Sequence, residues 1–320
     1  MKKIWFQRPL PTEFLPLFDG IAEPIGPGSD TPDDPFSTVE EAAAVIAGGL
    51  QYGSSMMDRA PHLKVIARTG IGVDNVDIPA ATERGIAVCN APDAPTIATA
   101  EHAIALMFAV ARRFKWNDNH LIAGNTLDYF GQYNALELFQ AELGLVGLGR
   151  IASHVATIAR GIGMTVTAYD PFISPERAAA LGVTLHPTLE SLLQTADVVS
   201  LHVPLLPETQ DLINAETLAL MKSGAILINA ARGGLVDEAA LVDALEQGHL
   251  RGAGLDVFKI EPPPADHPLV GREDVVATPH VASATVIGRK RLWRDAIVQA
   301  VQVIKGERPT HLLNPEVWPG

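Results

Sequence analysis

The stretch that decides the fold lies near the middle of the chain, where an apolar run leads into closely spaced glycines. It reads Leu145-Val146-Gly147-Leu148-Gly149-Arg150-Ile151-Ala152. A helix-forming segment follows as far as Gly161, and a second apolar run, residues 164–169, ends at Asp170. An apolar run, a glycine-rich turn, a helix pattern and another apolar run are typical of one half of a parallel α/β sheet. The stretch therefore predicts a strand, a tight turn, a helix and a second strand.

The small residues of this turn each meet a physical requirement of dinucleotide binding. Gly147 permits the tight turn, Gly149 lets the backbone approach a pyrophosphate, and Ala152 is small enough where helix packs on strand. The pyrophosphate would accept hydrogen bonds at the helix N-terminus, at Arg150 and Ile151, where the helix dipole favours negative charge. An ordinary glycine-rich turn would share these residues, so the turn alone leaves both interpretations open.

An acid at the end of the second apolar run favours the dinucleotide. Asp170 follows Ala152 by 18 positions (170 − 152), which suits a carboxylate that accepts hydrogen bonds from the adenosine ribose hydroxyls. A carboxylate at this place would repel a 2′-phosphate. We therefore predict NAD in preference to NADP.

Length and charge narrow the class of protein. The 320 residues, of which 47% are hydrophobic, suffice for two domains of ordinary size. A formal net charge of −13, without a block of Lys and Arg, argues against nucleic acid or an anionic membrane as a partner. No apolar stretch reaches the roughly 18 residues of a membrane-spanning helix. The apolar run at residues 4–6 is also far shorter than the core of a signal peptide.

The single cysteine bears on the compartment. Cys89 ends the apolar run 86–89 and cannot form an internal disulfide. Its setting is typical of a buried strand residue and not of a nucleophile. We expect a reducing, cytoplasmic environment.

The first part of the chain predicts a small α/β domain with a mostly parallel sheet. Short apolar runs alternate with helix-compatible segments, and the predicted strands are residues 3–6, 43–47, 65–68 and 86–89. Residues 23–35 are rich in Pro, Gly and Asp and are predicted to be a loop. Residues 69–77 follow a predicted strand and contain Gly70 and Gly72, which would let backbone amides form an anion-binding concavity, or nest. A plain turn between strand and helix would look the same.

The second part begins with a long connecting helix, predicted over residues 96–113. Residues 114–136 are polar and aromatic, and we interpret them as an arm that packs on a second subunit. Beyond the dinucleotide stretch, strands are predicted at 198–203, 225–229 and 252–257, and a helix over 282–306 returns to the first domain. The predicted domains are residues 1–96 with 283–320, and residues 97–282.

Charged side chains occur at three places downstream of the dinucleotide stretch. Arg232 lies on a turn of small residues, where its planar fork could hold a carboxylate through two hydrogen bonds. Asp256 and Glu261 stand at the start of a Pro-rich loop, and His280 follows Thr278-Pro279. Taken singly, each is as compatible with a structural role, such as an ion pair with a neighbour, as with a functional one.

Taken together, these segments resemble the D-isomer-specific 2-hydroxyacid dehydrogenase family. The motifs occur in the family's order from about residue 60 to the end, with Ala152 in place of the more usual glycine. They are residues 70–77, the dinucleotide stretch with Tyr169-Asp170-Pro171, residues 229–237, residues 255–258 with Glu261-Pro262, and Thr278-Pro279-His280. The resemblance implies an α/β fold of two Rossmann-like, doubly wound domains with a cleft between them, NAD as cofactor, and a homodimer.

The resemblance also implies catalytic roles. His280 is the general acid/base, which protonates the substrate carbonyl oxygen while NADH delivers hydride, and takes the proton back in oxidation. Glu261, 19 positions earlier (280 − 261), pairs with the other ring nitrogen, fixes tautomer and orientation, and favours the imidazolium. Arg232 binds the substrate carboxylate and polarises the carbonyl, and the amides of Ile71 and Gly72 bind the same carboxylate.

Further cofactor contacts are implied along the strand ends. His202, Val203 and Pro204 lie where the family's cofactor-facing loop runs, and Asp256 matches a residue near the nicotinamide carboxamide, although an Asp there can equally satisfy backbone donors. The full predicted set is Gly147, Gly149, Arg150, Ile151, Asp170, His202, Val203, Pro204, Ala230, Arg232, Asp256 and His280. No metal site is predicted.

The substrate is left open by the motifs. The resemblance predicts a small D-2-hydroxy acid or the matching 2-oxo acid, such as glyoxylate or hydroxypyruvate. A phosphorylated substrate such as phosphoglycerate would need one or two cations, for which Arg59, Lys64 and Arg68 are candidates. A non-catalytic NADH-sensing corepressor would carry the same catalytic residues, but the sequence lacks a basic surface run. Residues 1–50 match no motif, and residues 50–53 are expected to line the substrate pocket.

Overall fold

The chain divides into two compact units. The computed structural model describes residues 1–27, 33–125 and 133–318. Unit 1 comprises Met1–Pro95 with Thr285–Gly320, and unit 2 comprises Thr96–Ala284. The domain divisions predicted after residues 96 and 282 lie within two residues of these bounds.

Unit 1 is built on a five-stranded parallel sheet. Its strands are β1 Lys2–Phe6, β2 Ala22–Ile25, β3 Ala44–Ala47, β4 Val65–Arg68 and β5 Ala87–Cys89. They are arranged in the order β2-β1-β3-β4-β5. All four predicted strands are present, and the parallel α/β prediction is confirmed for this unit.

The strand β2 corrects the prediction that residues 23–35 form a loop. Residues 22–25 pair in parallel with residues 2–5, so the prediction is wrong for residues 23–25. Pro24 is tolerated because β2 lies at the edge of the sheet, where a strand needs hydrogen bonds on one side only. Residues 28–32 of the predicted loop lie outside the described residues.

Helices cover both faces of this sheet. Ser54–Arg59 and Ile78–Glu83 pack on one face, and the return helix Val286–Lys305 packs on the other. Short 3-10 helices span Thr12–Leu17, Val39–Glu41 and Pro315–Val317. Because both faces are covered, the strands β3 and β5 are apolar and buried throughout, and Cys89 at the end of β5 is fully buried as predicted. Burial raises the pKa of its thiol to about 12.

The return helix begins later than predicted. Its N-cap is Thr285, whose hydroxyl accepts from the Gly288 amide, so residues 282–285 are not helical. The amide of Ala282, before this N-cap, donates to the Asp256 carboxylate. The helix ends at Lys305, and Gly306 adopts a φ of 82° that suits a glycine C-cap.

Unit 2 contains a seven-stranded parallel sheet. Its strands are β6 Glu142–Val146, β7 Thr165–Tyr169, β8 Thr184–Leu185, β9 Val198–Leu201, β10 Ile226–Asn229, β11 Gly252–Leu255 and β12 Val275–Ala277. They lie in the order β12-β11-β10-β9-β6-β7-β8. The chain moves outward from β6 to β8, crosses back to β9, and continues to β12. This is a doubly wound sheet whose switch point lies beside β6, as the fold prediction required.

The helices of unit 2 flank this sheet. Helices of this unit are the connecting helix Thr96–Ala111, Phe114–Ile122, Arg150–Gly161, Pro175–Ala180, Leu189–Leu193, Ala215–Leu220, Glu238–Glu246 and the 3-10 helix Gly233–Leu235. The connecting helix packs closely on β11. The glycine at position 254 permits this approach, since a Cβ built there would lie 2.9 Å from the Leu106 Cβ. Among the described residues, no helix is long and apolar enough to cross a membrane.

The segment after the connecting helix differs from the prediction in detail. The connecting helix ends at Ala111, and Arg113 has a left-handed φ of 49° that separates it from the next helix. The helix Phe114–Ile122 was not predicted, and none of its residues is buried. Residues 126–132 of the predicted arm lie outside the described residues.

Candidate functional site

The predicted cofactor and catalytic residues of unit 2 share one edge of its sheet. All its strands are parallel, so their carboxyl ends meet at this edge. The dinucleotide turn follows β6, Asp170 follows β7, and residues 202–204 follow β9. Arg232 follows β10, Asp256 and Glu261 follow β11, and His280 follows β12. This is the edge at which doubly wound sheets bind ligands.

The turn after β6 requires glycine at its first position. Gly147 has a φ of 90°, and a Cβ there would lie 2.9 Å from the Val203 Cγ1 and 3.0 Å from the His202 carbonyl oxygen. The absence of a side chain therefore brings the loop after β9 directly against the turn. The side chains at positions 202 and 203 thus lie beside the predicted cofactor path.

The helix that follows presents an N-terminus suited to a pyrophosphate. It begins at Arg150 with Gly149 as N-cap, and no side chain caps it. A Cβ built at Gly149 would meet no atom within 4 Å, so the space beside this residue is open. Ala152 is fully buried in the core between helix and sheet, as its small size predicts. These residues fit the phosphates of a dinucleotide.

Asp170 has a structural role in addition to its predicted contact with the adenosine ribose. One carboxylate oxygen accepts from the Leu148 amide at 2.8 Å, and the other accepts from the Phe172 amide at 2.9 Å. A carboxylate offers about four lone pairs, so two hydrogen bonds leave capacity for ribose hydroxyls. The acid thus ties the dinucleotide turn to the end of β7 and still fits the adenosine ribose.

His202 is held in its neutral form. Its Nε2 lies 2.9 Å from the Oγ of Ser200, which is itself fully buried. Burial lowers the pKa of the imidazole to about 4. The ring therefore adds no positive charge beside the turn at neutral pH.

The turn that carries Arg232 is braced from within. The Asn229 side-chain oxygen accepts from the Ala231 amide at 3.0 Å, and its NH2 group donates to the Arg232 carbonyl at 2.8 Å. The Arg232 guanidinium donates to the Ala231 carbonyl at 2.7 Å. A Cβ built at Gly233 would lie 2.0 Å from the carbonyl carbon of Phe258. Glycine at this position lets the arginine turn pack on the loop that leads to Glu261.

His280 and Glu261 form a hydrogen-bonded pair. The His280 Nδ1 lies 2.7 Å from one Glu261 oxygen, and the other oxygen accepts from the Phe258 amide at 3.1 Å. The side chains are 44% and 35% exposed respectively. The carboxylate holds Nδ1 in its protonated form, which leaves Nε2 to exchange a proton with a bound molecule.

Asp256 is buried, and its carboxylate is engaged in hydrogen bonds with neighbouring groups of unit 2. Its exposed fraction is 0%, and its carboxylate accepts from the Thr278 hydroxyl at 2.5 Å and from the amides of Val281 and Ala282 at 2.9 and 2.8 Å. Burial acts to raise the pKa of Asp256, but hydrogen bonds from His102, Thr278 and the two amides outweigh it, so the pKa lies below its usual range. The surroundings favour the alternative noted from the sequence, that Asp256 satisfies backbone donors.

The nest predicted in unit 1 follows β4. Among the described residues, the amides of Ile71 and Gly72 donate to no other protein group. The segment is held by the Asn90 side chain, which donates to the Ile71 carbonyl at 2.7 Å, and by the Ala91 amide, which donates to the Gly70 carbonyl at 2.9 Å. The two N–H groups are thus available to an anion.

Tyr52 lies in the interior of unit 1 and not on its surface. Residues 50–53 were expected to line the substrate pocket, but Tyr52 is fully buried. Its hydroxyl accepts from the Gly48 amide at 2.8 Å and donates to the Gln7 side chain at 3.2 Å. Tyr52 therefore braces the ends of β1 and β3, and burial raises the pKa of its phenol.

The three candidate cations for a phosphate are not equivalent. Arg59 lies 2.6 Å from both the Asp34 and the Glu40 carboxylates, and its hydrogen bonds lower the pKa of each acid. Lys64 precedes β4 and so lies at the opposite edge of the sheet from the nest. Arg68 ends β4, and its Nη1 donates to the Thr69 carbonyl at 3.0 Å. Of the three, Arg68 is the one beside the nest.

Comparison with known proteins identifies the family. Residues 104–282, more than half of the chain, match the family model described as "D-isomer specific 2-hydroxyacid dehydrogenase, NAD binding domain". The chain belongs to the D-isomer-specific 2-hydroxyacid dehydrogenase family. The matched residues lie within unit 2, and the match shows that this unit is an NAD-binding domain.

Similar proteins cover nearly the whole chain. A D-3-phosphoglycerate dehydrogenase of Methanocaldococcus jannaschii is 38% identical over 98% of this chain and 60% of its own length. The chain thus spans about half the length of the curated relatives it matches, from 48% to 60%. A crystal structure of a Thermus thermophilus protein is 40% identical, with a TM-score of 0.87, covering 97% of this chain and 99% of that one. The D-lactate dehydrogenase of Aquifex aeolicus, complexed with NAD and lactic acid, is 28% identical, with a TM-score of 0.84 and coverage of 98% and 99%.

The structural roles of some residues around the candidate site could not be assigned from the sequence. Asn229 and Gly233 stand within a quoted motif, but their bracing and close-packing roles were not assigned. Thr278 stands directly before Pro279-His280, and His102 is a polar residue within an otherwise apolar helix. Both residues could have been noticed in the sequence for these reasons, but no local pattern indicates that their side chains form a hydrogen bond with each other.

Asp170 both accepts hydrogen bonds from turn amides and is predicted to select NAD over NADP, so a substitution that keeps one side-chain oxygen tests the second role. Replacing Asp170 by asparagine should raise kcat/KM with NADPH relative to NADH, because the repelling charge is removed while a side-chain oxygen remains for a turn amide. The ratio is measured with one 2-oxo acid, and both cofactors are also titrated by fluorescence. Asp19→Asn, which changes an exposed acid of unit 1, is the matched control. An unaltered ratio would remove Asp170 from cofactor selection.

The buried Asp256 predicts a loss of stability on substitution. Asp256→Asn should lower the free energy of unfolding at pH 7 by about 2 kcal/mol, because an NH2 group would face a buried amide donor. The folded-state pKa of Asp256 is depressed, so its stabilisation is present above the unfolded pKa of about 3.9 and is lost as pH falls through the folded value. Urea unfolding at pH 7 and at lower pH checks both points. The exposed Asp243→Asn should show neither effect.

Proposed function

We propose that the protein is an NAD-dependent dehydrogenase that interconverts small D-2-hydroxy acids and the corresponding 2-oxo acids. The observation that carries the proposal is the 2.7 Å hydrogen bond between the His280 Nδ1 and Glu261, on the sheet edge that carries the dinucleotide turn. An imidazole with one nitrogen fixed by a carboxylate and the other presented outward is suited to general acid/base catalysis.

The proposed mechanism assigns one proton and one hydride. NADH, when bound, supplies the hydride that the carbonyl carbon of the 2-oxo acid accepts. The His280 Nε2–H donates its proton to the carbonyl oxygen, which becomes the hydroxyl, and the reverse transfer occurs in oxidation. Glu261 keeps the ring in the required tautomer throughout. Arg232 binds the substrate carboxylate in a fork of two N–H donors and draws electron density from the adjacent carbonyl.

From unit 1 we assign the amides of Ile71 and Gly72 to the same substrate carboxylate. The assignment is supported by their lack of acceptors among the described residues and by the resemblance to the family. We further propose unit 1 as the substrate-binding domain and unit 2 as the NAD-binding domain.

We propose glyoxylate or hydroxypyruvate as the substrate class. Support comes from unit 1, where Arg59 is neutralised by two carboxylates and Lys64 lies at the edge away from the nest. Of the three cations named, Arg68 is thus the one candidate to bind the phosphate group of a phosphorylated substrate.

D-3-Phosphoglycerate is the second candidate. It is favoured by the relatives, which are named D-3-phosphoglycerate dehydrogenases at 38–45% identity. Arg68, beside the nest, would then bind the phosphate.

A substrate panel tests these proposals together. NADH oxidation is followed with glyoxylate, hydroxypyruvate, pyruvate and phosphohydroxypyruvate, and kcat/KM is compared. We expect the highest value with glyoxylate or hydroxypyruvate. A highest value with phosphohydroxypyruvate would establish the second candidate. Binding of NADH without turnover of any acid would overturn the enzyme proposal in favour of an NADH-sensing protein.

We also propose that the protein is a cytoplasmic homodimer. The helix Phe114–Ile122 supports a dimer because it buries none of its residues, and Phe114, Leu121 and Ile122 are 58%, 66% and 78% exposed. Light scattering after size exclusion should give twice the mass of one chain, and Leu121→Glu should shift it toward the monomer. A monomeric wild-type protein would overturn this part. The reducing compartment is supported by the one buried cysteine.

A further inference from the structure

A chain of polar groups lies behind the turn that carries His280. The His102 Nε2, on the connecting helix, is 3.0 Å from the Thr278 hydroxyl oxygen and 3.4 Å from one Asp256 carboxylate oxygen. The Thr278 hydroxyl is 2.5 Å from that same carboxylate oxygen. All three residues belong to unit 2, and neither His102 nor Thr278 has a part in the proposed proton and hydride transfer.

The direction of the hydrogen bonds follows from the donors present. The Thr278 hydroxyl has one hydrogen, and the ionised Asp256 can only accept, so that hydrogen points to Asp256. The hydroxyl oxygen is then an acceptor toward His102, which requires a proton on the His102 Nε2. The opposite tautomer would place the nitrogen lone pair against the hydroxyl oxygen and the carboxylate. The chain therefore runs from His102 through Thr278 to Asp256.

The Asp256 end of this chain holds the backbone around His280. The His280 amide donates to the Asp256 carbonyl at 2.7 Å, and the next two amides, Val281 and Ala282, donate to the Asp256 carboxylate. His280 itself has a φ of 54°, in the left-handed region that non-glycine residues seldom adopt. Such a conformation persists only where neighbouring contacts impose it. Asp256 supplies those contacts on both sides of His280.

We propose that His102 is a positioning residue for His280. By donating to Thr278 it fixes the hydroxyl rotamer that completes the hydrogen bonding of Asp256, and Asp256 in turn holds the turn that aims the imidazole. His102 does not touch substrate or cofactor in this scheme. The inference rests on the proposed function for its catalytic consequence and on the hydrogen-bond geometry for its structural one.

Variants at both ends of the first hydrogen bond test the proposal. His102→Leu removes the donor and should lower kcat by about 10- to 100-fold, the loss expected when a catalytic group is displaced by a fraction of an ångström to an ångström. The KM for NADH should stay near the wild-type value. His102→Gln should restore most of the activity, because its side-chain amide can donate from a similar position. Glu101→Ala, an exposed neighbour on the same helix, is the control.

A double-mutant cycle separates this pathway from general destabilisation. Thr278→Val should reproduce the loss of His102→Leu, and the double variant should be no worse than the more impaired single variant, since both remove one chain of contacts. Losses that multiply would overturn the proposal. So would a His102→Leu variant with wild-type kcat, or a His102→Gln variant as impaired as His102→Leu.

A measurement independent of turnover keeps this inference distinct from the proposed function. Nitrogen NMR of the histidine rings should show the His102 proton on Nε2, and hydrogen exchange at the Val281 and Ala282 amides should accelerate in His102→Leu. A proton on Nδ1, or unchanged exchange, would overturn the positioning role. If the wild-type protein turns over none of the 2-oxo acids but shows this NMR result, the proposed function fails while the structural link stands.

Discussion

Replacing His280 by alanine should lower kcat for 2-oxo acid reduction by about 10²- to 10⁴-fold, the usual contribution of a positioned general acid. The variant loses the proton donor to the carbonyl oxygen, so the developing alkoxide must take its proton from water. NADH binding should persist, because the dinucleotide turn and Asp170 lie after other strands. Steady-state kinetics with hydroxypyruvate and a fluorescence titration with NADH measure the two quantities separately.

The control for this variant is His62→Ala, which removes an exposed histidine of unit 1 and should leave kcat unchanged. Unchanged turnover in His280→Ala would exclude His280 from the mechanism. Loss of NADH binding together with turnover would show instead that the turn after β12 is needed to form the cofactor site.

Replacing Arg232 by glutamine should lower kcat/KM for the 2-oxo acid by about 10²- to 10³-fold. The estimate follows from losing charge-assisted hydrogen bonds of about 1.5–3 kcal/mol each, at about 1.4 kcal/mol per tenfold. Arg232→Lys should recover only part of the loss, because an ammonium group keeps the charge but cannot form the planar two-donor fork. The loss should include a raised KM for the acid, because Arg232 binds its carboxylate, and a lowered kcat, because Arg232 also polarises the carbonyl.

Arg308→Gln, at an exposed position of unit 1, provides the matched control and should show wild-type kinetics. Two results would contradict the assignment of Arg232 to the substrate carboxylate. One is a lysine variant with full activity, and the other is a glutamine variant whose KM for the acid does not change.

Local patterns in the sequence were sufficient for most of the fold. The strand, turn and helix at residues 145–161 were predictable because apolar periodicity and glycine spacing act over a few residues. The strand β2 was not, because whether Pro24 can be accommodated depends on the strand's place at the sheet edge. The helix Phe114–Ile122 was also missed, since it has no apolar face packed on a core of its own chain.

The candidate site shows the same division. Arg232, Glu261 and His280 could be proposed as site residues because each belongs to a motif with its own chemistry. The link between His102 and Thr278 joins residues 176 positions apart (278 − 102), and no local pattern could indicate it. The sequence left the role of Asp256 open between a cofactor contact and backbone hydrogen bonds, because its burial depends on how the segment after β12 folds back over it.

The close packing of Gly233 on the backbone of Phe258 also limits how this protein can diversify. Every amino-acid replacement at that codon introduces a Cβ, and the space for one is already taken by a carbonyl group 2.0 Å away. A single missense change there would push apart the segments that carry the arginine and the glutamate, and so would damage two active-site elements at once. Libraries that seek a new substrate range should therefore keep codon 233 constant and place their variation elsewhere in the gene.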